Sequence, residues 1–211
     1  MELSDTDTAV RSDISATIDL RTLSAISKFC GVVSGSLAML CVLLQIDEQG
    51  TTYVAMNGHA MAARRVNLRP GELRNTFTGR WLIPAEACGF KVLSGDNPYA
   101  DVSQHDGGLR IVDARGRKFY IEPDTGTYPD WVQVVPRSTD GVPKRDERIN
   151  PAYLVAVEQF AKRLGLGRVT ACWNSESRTV PFVFSEDANA FCLIAAMRQD
   201  VVEWSVPEWV R

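Results

Sequence analysis

The sequence predicts an α+β protein in which one β-α-β-β-β unit occurs three times, with the helices on one side of antiparallel sheets. Two kinds of segment support this fold class. Some stretches carry apolar residues at helical spacing, and shorter runs have the composition of strands separated by Gly, Asn and Asp turns. One helical stretch followed by three strand-like runs recurs about every 50–70 residues, which indicates a repeated supersecondary unit.

The first predicted unit covers residues 14–78. It begins with a strand at 16–19 and a helix at 20–33, for which Asp19 has the side chain of an N-cap. Gly50 and the Asn57-Gly58 pair supply turns between the runs that follow. Those strand-like runs are 37–46, 52–56 and 60–68.

The second and third units repeat this order. In the second, 79–137, a strand at 80–84 precedes a short helix at 85–93, and strands follow at 99–104, 109–113 and 118–122. In the third, 148–198, Asn150 caps and Pro151 opens a helix at 151–164. Strands follow it at 168–173, 179–184 and 190–195. The remaining segments are predicted to be a disordered leader at 1–13, a linker at 138–147 and a C-terminal tail at 199–211.

Composition excludes several classes of protein. The chain has 211 residues and a net charge of −3, so a strongly basic nucleic-acid coat protein is not expected. The longest apolar stretch, 36–46, is much shorter than the roughly 20 residues of a membrane-spanning helix. The acidic, polar N-terminus does not resemble a secretory signal. Five cysteines without a CxxC pair indicate reduced thiols, so we predict a cytoplasmic protein.

No motif of an enzyme is present. His59 and His105 are the only histidines, and neither lies in an HExxH or GxSxG context. The sequence also has no P-loop, no GxGxxG and no Cys/His spacing that suits zinc. We therefore expect no catalysis, no cofactor and no metal site.

Four short segments carry a resemblance to a known family. They read MNGHAMA at 56–62, GTYPDWVQVVP at 126–136, INPAYL at 149–154 and CLIAAMR at 192–198. The bacterial sliding clamp, the β subunit of the replicative DNA polymerase, has similar motifs in the same order: TDGHRLA, GxFPDYRRVLP, FNxxYL and VVMPMR. Residues 15–198 thus resemble the middle domain of that family together with the C-terminal half of its last domain. Asn57 and Ala60 differ from the family's Asp and Arg, and Ala195-Ala196 replaces its Met-Pro.

The resemblance implies a processivity factor for DNA replication that binds double-stranded DNA without reading its sequence and performs no catalysis. The side chains expected to face DNA from the helices are Arg21, Lys28, Lys91, Lys162 and Arg163. The resemblance also implies a hydrophobic pocket for the binding motif of a DNA polymerase or another clamp-binding protein. Its members would be Gly58, His59, Met61, Pro136, Leu193, Met197 and Arg198.

Several alternatives stay open at this stage. The helix cations could be ordinary solvated side chains, and the chain could be a binding module that engages clamp-binding proteins without encircling DNA. A homo-oligomeric ring of twelve units would need four chains of three units. The basic run from Arg64 to Arg80 is interpreted as a solvated connector, with contact to DNA or a nucleotide as the alternative. The apolar tail could pack on its own domain, cover the pocket or extend an interface to a neighbouring chain.

Overall fold

Eleven strands form two antiparallel sheets in the computed structural model, which describes residues 15–31, 37–68, 75, 77–90, 92, 96–122, 126–136, 149–172 and 179–196. In chain order the strands are β1 Ser15–Asp19, β2 Cys41–Asp47, β3 Gly50–Met56, β4 Ala60–Asn67, β5 Gly79–Pro84, β6 Tyr99–His105, β7 Gly108–Asp113, β8 Lys118–Ile121, β9 Val169–Ala171, β10 Thr179–Phe184 and β11 Asp187–Ala195. A four-stranded sheet has the order β1-β6-β7-β8 and a seven-stranded sheet the order β5-β2-β3-β4-β11-β10-β9.

The first two units exchange their first strands. β1 pairs with β6 of the second unit, placing Ile18 opposite Ala100. In return β5 pairs with β2 of the first unit, placing Leu44 opposite Trp81. The third unit extends the larger sheet, because β11 pairs with β4. The α+β class predicted from the sequence is therefore confirmed, while the proposed domain boundaries stay predictions.

Two α-helices lie on the same side of the seven-stranded sheet. They are α1, Leu20–Ile26, and α2, Pro151–Leu164. α2 has the predicted bounds because Asn150 Oδ1 accepts a hydrogen bond from Ala152 N at 3.0 Å and Gly165 ends the helix at φ +66°. Both helices contribute to one apolar core with the facing strands, and Phe29 and Phe160 meet there edge to face.

The seven-stranded sheet is apolar on both faces. On the helix-bearing inner face lie side chains such as Leu44 and Tyr53, whereas Leu43 and Val54 belong to a second cluster on the outer face. Strands buried on both faces need nearly continuous apolar sequence. This burial explains why these runs lack the alternation of a half-exposed strand.

Three predicted elements differ from the structure. The predicted helix at 20–33 ends at Ile26 and continues as a 3₁₀ helix, Ser27–Phe29, where Ser27 Oγ donates a hydrogen bond to the Ser24 carbonyl. The predicted helix at 85–93 is only a 3₁₀ turn, Ala85–Cys88, because Gly89 at φ −70° and ψ 35° leaves the helical conformation. The predicted strand at 37–46 begins with the 3₁₀ helix Leu37–Leu40 before β2.

The remaining sequence predictions concern segments that the structure does not describe. The leader at 1–13, the linker at 138–147 and the tail at 199–211 lie outside the described residues. Within the described part of the chain, no helix combines the length and apolar character needed to cross a bilayer.

Candidate functional site

The turn between β3 and β4 is held by the side chain of Asn57. Its Oδ1 accepts hydrogen bonds from His59 N at 3.0 Å and Ala60 N at 2.9 Å. Gly58 adopts φ +86°, the left-handed conformation that favours glycine. An aspartate in the family motif has the same acceptor oxygen, so Asn57 can replace it without loss of these two bonds.

This turn joins the first unit to the third. The backbone N–H of Ala195, at the end of β11, donates a hydrogen bond to the His59 carbonyl at 2.7 Å. On the other side, the His59 ring stacks on Tyr153 of α2 with 6.3 Å between ring centroids and 27° between planes. The turn therefore contacts both the last strand and the helix of the third unit.

A small apolar cavity opens beside the turn, where β4 and β11 meet. Its volume is about 80 Å³, well below the roughly 300–1,000 Å³ of a pocket that buries a drug-sized ligand. A cavity of this size suits one aliphatic side chain of a longer ligand. Its lining residues are Met56, Gly58, His59, Ala60, Met61, Val134, Thr179, Leu193 and Ala195.

The structure brings together four of the seven residues predicted for the pocket: Gly58, His59, Met61 and Leu193. Pro136 lines a neighbouring cavity of about 610 Å³ with other residues of the segment 126–136. Met197 and Arg198 lie outside the described residues.

Sequence reasoning missed the rest of the cavity lining. Ala195 is an exception, because it stands where the last motif of the family has methionine in the pocket wall. Strand periodicity could also have found Met56, which shares the outer sheet face with Met61 and Leu193.

The segment 126–136 covers the outer face of the seven-stranded sheet and forms the remaining wall. The Tyr128 hydroxyl donates a hydrogen bond to the Val54 carbonyl at 3.4 Å, and Trp131 Nε1 donates to Gln45 Oε1 at 3.3 Å. Burial raises the pKa of the Tyr128 phenol, which keeps it a donor. The 3₁₀ helix Trp131–Val134 then presents Val134 to the cavity.

On the inner face, below the same junction, Arg64 connects the first and third units. Its Nε donates to Asp187 Oδ2 at 2.8 Å and its Nη1 to Asp19 Oδ2 at 3.2 Å. Nη1 also contacts Thr22 Oγ1. The Arg64 side chain is 19% exposed and those of Asp19 and Asp187 are 10% and 14% exposed. The prediction of a solvated basic connector is therefore wrong for Arg64, which is an internal partner of two carboxylates.

The cations predicted to face DNA are unequally placed. Six of the seven residues of α1 are buried, and half-buried Arg21 donates a hydrogen bond to the Asp96 carbonyl at 3.4 Å. Lys28 is exposed just beyond α1. Lys162 and Arg163 lie on the last turn of α2, where Lys162 is exposed and Arg163 Nη2 donates to the Phe90 carbonyl at 3.2 Å. Lys91 lies outside the described residues.

Metal-binding groups do not cluster in the part of the chain that the structure describes: no three His, Cys, Asp or Glu side chains there could hold an ion together. The sheet junction itself presents apolar side chains together with the turn at His59. Such a surface suits docking of a peptide.

Comparisons with known proteins identify relatives of this chain by fold and not by sequence. No protein-family model matches the chain. A search of curated proteins also found no match. Solved structures of bacterial sliding clamps do match, with TM-scores of 0.66–0.71.

Three of these structures illustrate the match. The DNA polymerase sliding clamp from Bacillus subtilis superposes with a TM-score of 0.71 at 12% identity, covering 94% of this chain and 67% of the clamp. The sliding clamp from Pseudomonas aeruginosa with a ligand gives 0.69 at 12% identity, covering 93% and 70%. DNA polymerase III subunit beta from Borrelia burgdorferi in complex with a natural product gives 0.67 at 13% identity, covering 88% and 63%.

The chain thus spans about two thirds of the length of the clamps that it matches. At identities of 10–14% the similarity establishes architecture and not residue-level function. From its sheet order, its helix-bearing inner face and these superpositions, the chain has the fold of the bacterial sliding clamp.

Proposed function

We propose that the chain is a cytoplasmic, non-catalytic, sliding-clamp-like DNA replication factor that tethers a polymerase or a repair protein to double-stranded DNA. The observation that carries this proposal is the apolar cavity at the junction of β4 and β11, in a chain with the clamp fold. The partner would insert one apolar side chain of a short peptide motif between Met61 and Leu193, beside the His59 turn.

The contribution of the helices would be electrostatic. Lys28, Lys162 and Arg163 lie on the helix-bearing side, and lysine and arginine contact phosphates without reading bases. Because α1 is almost fully buried, the exposed surface of α2 would make the larger contribution to DNA binding.

Edge strands would allow a closed assembly. Among the described strands, β8 and β9 each pair on one side only, with Tyr120 on β8 60% exposed and Val169 on β9 45% exposed. A second copy could add a strand at such an edge. In this proposal four chains close a homo-oligomeric ring by head-to-tail contacts.

The second candidate function is a clamp-derived regulator that binds clamp-binding proteins without encircling DNA. The burial of α1 favours it, since a DNA-lining helix must leave one face in solvent. The same cavity would serve both functions, so only DNA topology and assembly state distinguish them.

The experiment compares retention of the chain on nicked circular and on linear DNA, with its mass measured by light scattering. A clamp stays on circles, leaves linear DNA through the ends and has the mass of a closed oligomer. A monomer that leaves both forms equally would support the regulator instead.

A double variant, Lys162→Glu with Arg163→Glu, should weaken DNA binding and lower the slope of log affinity against log salt by about 0.9 for each phosphate that the protein no longer neutralises. Arg80→Glu serves as the control because Arg80 is exposed on β5, next to Trp81 of the inner face, and therefore points to the outer face. Equal effects of both substitutions would contradict the assignment of DNA to the helix-bearing side.

A further inference from the structure

Two cavities adjoin along the 3₁₀ helix Trp131–Val134. Val134 lines the small apolar cavity at the junction of β4 and β11, whereas Val132 and Gln133 line the neighbouring cavity of about 610 Å³. A 3₁₀ helix rises about 2 Å per residue, so its N-cap residue, Asp130, and Val134 lie about 8 Å apart along its axis. One short extended peptide can therefore contact both cavities.

The size of the small cavity favours an aliphatic side chain over an aromatic one. Its volume is about 80 Å³, whereas an apolar cavity that binds benzene has a volume of about 150 Å³. On the sheet side its walls are Met61 and Leu193, which are buried and packed against their neighbours. Such walls do not retreat without cost, so the cavity suits the side chain of a valine or leucine.

The charge at the rim is negative. Among the described residues that line the two cavities, Asp130 alone has a formal charge at pH 7. Its carboxylate is exposed and accepts a hydrogen bond from Gln133 Nε2 at 2.9 Å. No lysine or arginine in the described part of the chain forms an ion pair with it. The apolar surface therefore carries an unbalanced anion at its edge, which is complementary to a cation on a ligand.

The sequence of this segment differs from the motif of the clamp family at the positions that set this charge. The family has PDYRRVLP where this chain has PDWVQVVP at 129–136, so Val132 and Gln133 stand in place of two arginines. Two cations next to the aspartate make the family's segment positive. Their replacement by neutral side chains reverses the sign of the charge here.

We propose that the site selects an extended peptide in which an aliphatic residue fills the small cavity and a lysine or arginine contacts Asp130. This inference rests on the proposed function of the cavity as a peptide-docking site. Side chains two positions apart in an extended peptide point to the same side and lie about 7 Å apart, close to the spacing of Asp130 and Val134. The basic residue therefore stands two positions from the aliphatic one.

The test measures the affinity of fluorescein-labelled nonapeptides for the full chain by fluorescence anisotropy at low salt. Each peptide is rich in serine and has one central leucine. One version has lysine two positions away on both sides of the leucine, and the other has glutamate there. The lysine peptide should bind about two- to fivefold more tightly, which is the effect of a solvent-exposed ion pair.

Substitutions of Asp130 show whether this carboxylate is the cause. Asp130→Lys should reverse the preference, so that the glutamate peptide binds more tightly. Asp130→Asn keeps an acceptor for Gln133 and should abolish the preference. Asp101→Lys is the matched control, because Asp101 is exposed on β6 of the other sheet and its substitution changes the net charge by the same amount.

A second pair of variants tests the size of the cavity. Phenylalanine in place of leucine in the lysine peptide should weaken binding to the parent at least about fivefold. Val134→Ala widens the cavity at its rim, where Val134 is exposed, and should reduce this loss. Val183→Ala should not, because Val183 is exposed on β10 and does not line the cavity.

Two results would overturn the inference: equal affinities of the lysine and glutamate peptides for the parent, or a preference for lysine that Asp130→Lys leaves unchanged. Equal binding of the leucine and phenylalanine peptides would likewise contradict the selection of an aliphatic residue. If no peptide binds, the docking function itself is wrong. Binding without a preference for charge or size contradicts only this inference, so the two failures are distinguishable.

Discussion

Replacing Arg64 by methionine should weaken the attachment of the third unit to the first. Arg64 makes ion pairs with Asp19 and Asp187, and all three side chains are at least four-fifths buried. Methionine keeps much of the aliphatic volume but removes every donor, which leaves Asp187 without its cationic partner across the sheet junction.

The expected loss is about 3 kcal/mol of the free energy of unfolding, because two charge-assisted hydrogen bonds contribute roughly 1.5–3 kcal/mol each. Asp19 partly compensates, because its carboxylate still accepts hydrogen bonds from Arg21 N at 2.8 Å and Thr22 Oγ1 at 2.9 Å. For a chain of this size a loss of about 3 kcal/mol corresponds to a decrease in Tm of about 6–12 °C.

Arg65→Met provides the matched control on the same strand. Arg65 pairs with Asp47 at 2.7 Å, but these side chains are 31% and 48% exposed, and such a pair contributes less than about 1 kcal/mol. Urea unfolding would compare the two variants, and hydrogen exchange would report the amides of β11. If both substitutions cost the same, or if β11 keeps its protection in Arg64→Met, the internal ion pairs do not hold the third unit in place.

Three further predictions concern stability, acid and thiol reactivity. Gly165→Ala should lower the free energy of unfolding by about 1 kcal/mol, measured in urea. The reason is the backbone of this C-cap residue of α2, whose φ of +66° is unfavourable for alanine, since no atom lies within 4 Å of the new methyl group. Burial raises the pKa of Asp113, but hydrogen bonds from Arg117 outweigh it and lower the pKa overall. The ionised form of Asp113 therefore stabilises the fold above the pKa of the unfolded state, and this stability is lost as the pH falls. Between about pH 5 and pH 3, Asp113→Asn should lose less free energy of unfolding than the parent. The same dependence of stability on pH in both proteins would contradict this. Burial raises the pKa of Cys30 to about 12, so half-exposed Cys172 should react first with iodoacetamide, as peptide mass spectrometry can establish.

Long, periodic elements were predictable from sequence. α2 has its predicted bounds because a capping asparagine, Pro151 and a C-cap glycine all act locally. β10 likewise begins and ends where the apolar run does. The segment at 85–93 was mispredicted because nine residues with an internal Gly89 favour a helix too weakly, and packing decides its conformation.

The candidate site was predictable only where a segment resembles a motif of the clamp family. Gly58, His59 and Met61 come from the segment at 56–62 and Leu193 from the segment at 192–198, and the cavity contains all four. Val134 lies in the cavity because the segment 126–136 folds over the outer sheet face, a long-range contact without a local signal. The internal role of Arg64 was missed for a similar reason, since its two carboxylate partners are 45 and 123 residues away.

The exchange of first strands between the two leading units has a consequence for biosynthesis. β1 leaves the ribosome long before β6, its partner, which lies about 80 residues later in the chain. At about 5–20 residues per second this delay is on the order of 4–16 s, during which the edge of β1 has no ladder to join. A nascent chain paused before residue 99 should therefore remain protease-sensitive. If the chain is divided into two fragments between the first and second units, the fragments should recover structure only when they are synthesised or refolded together.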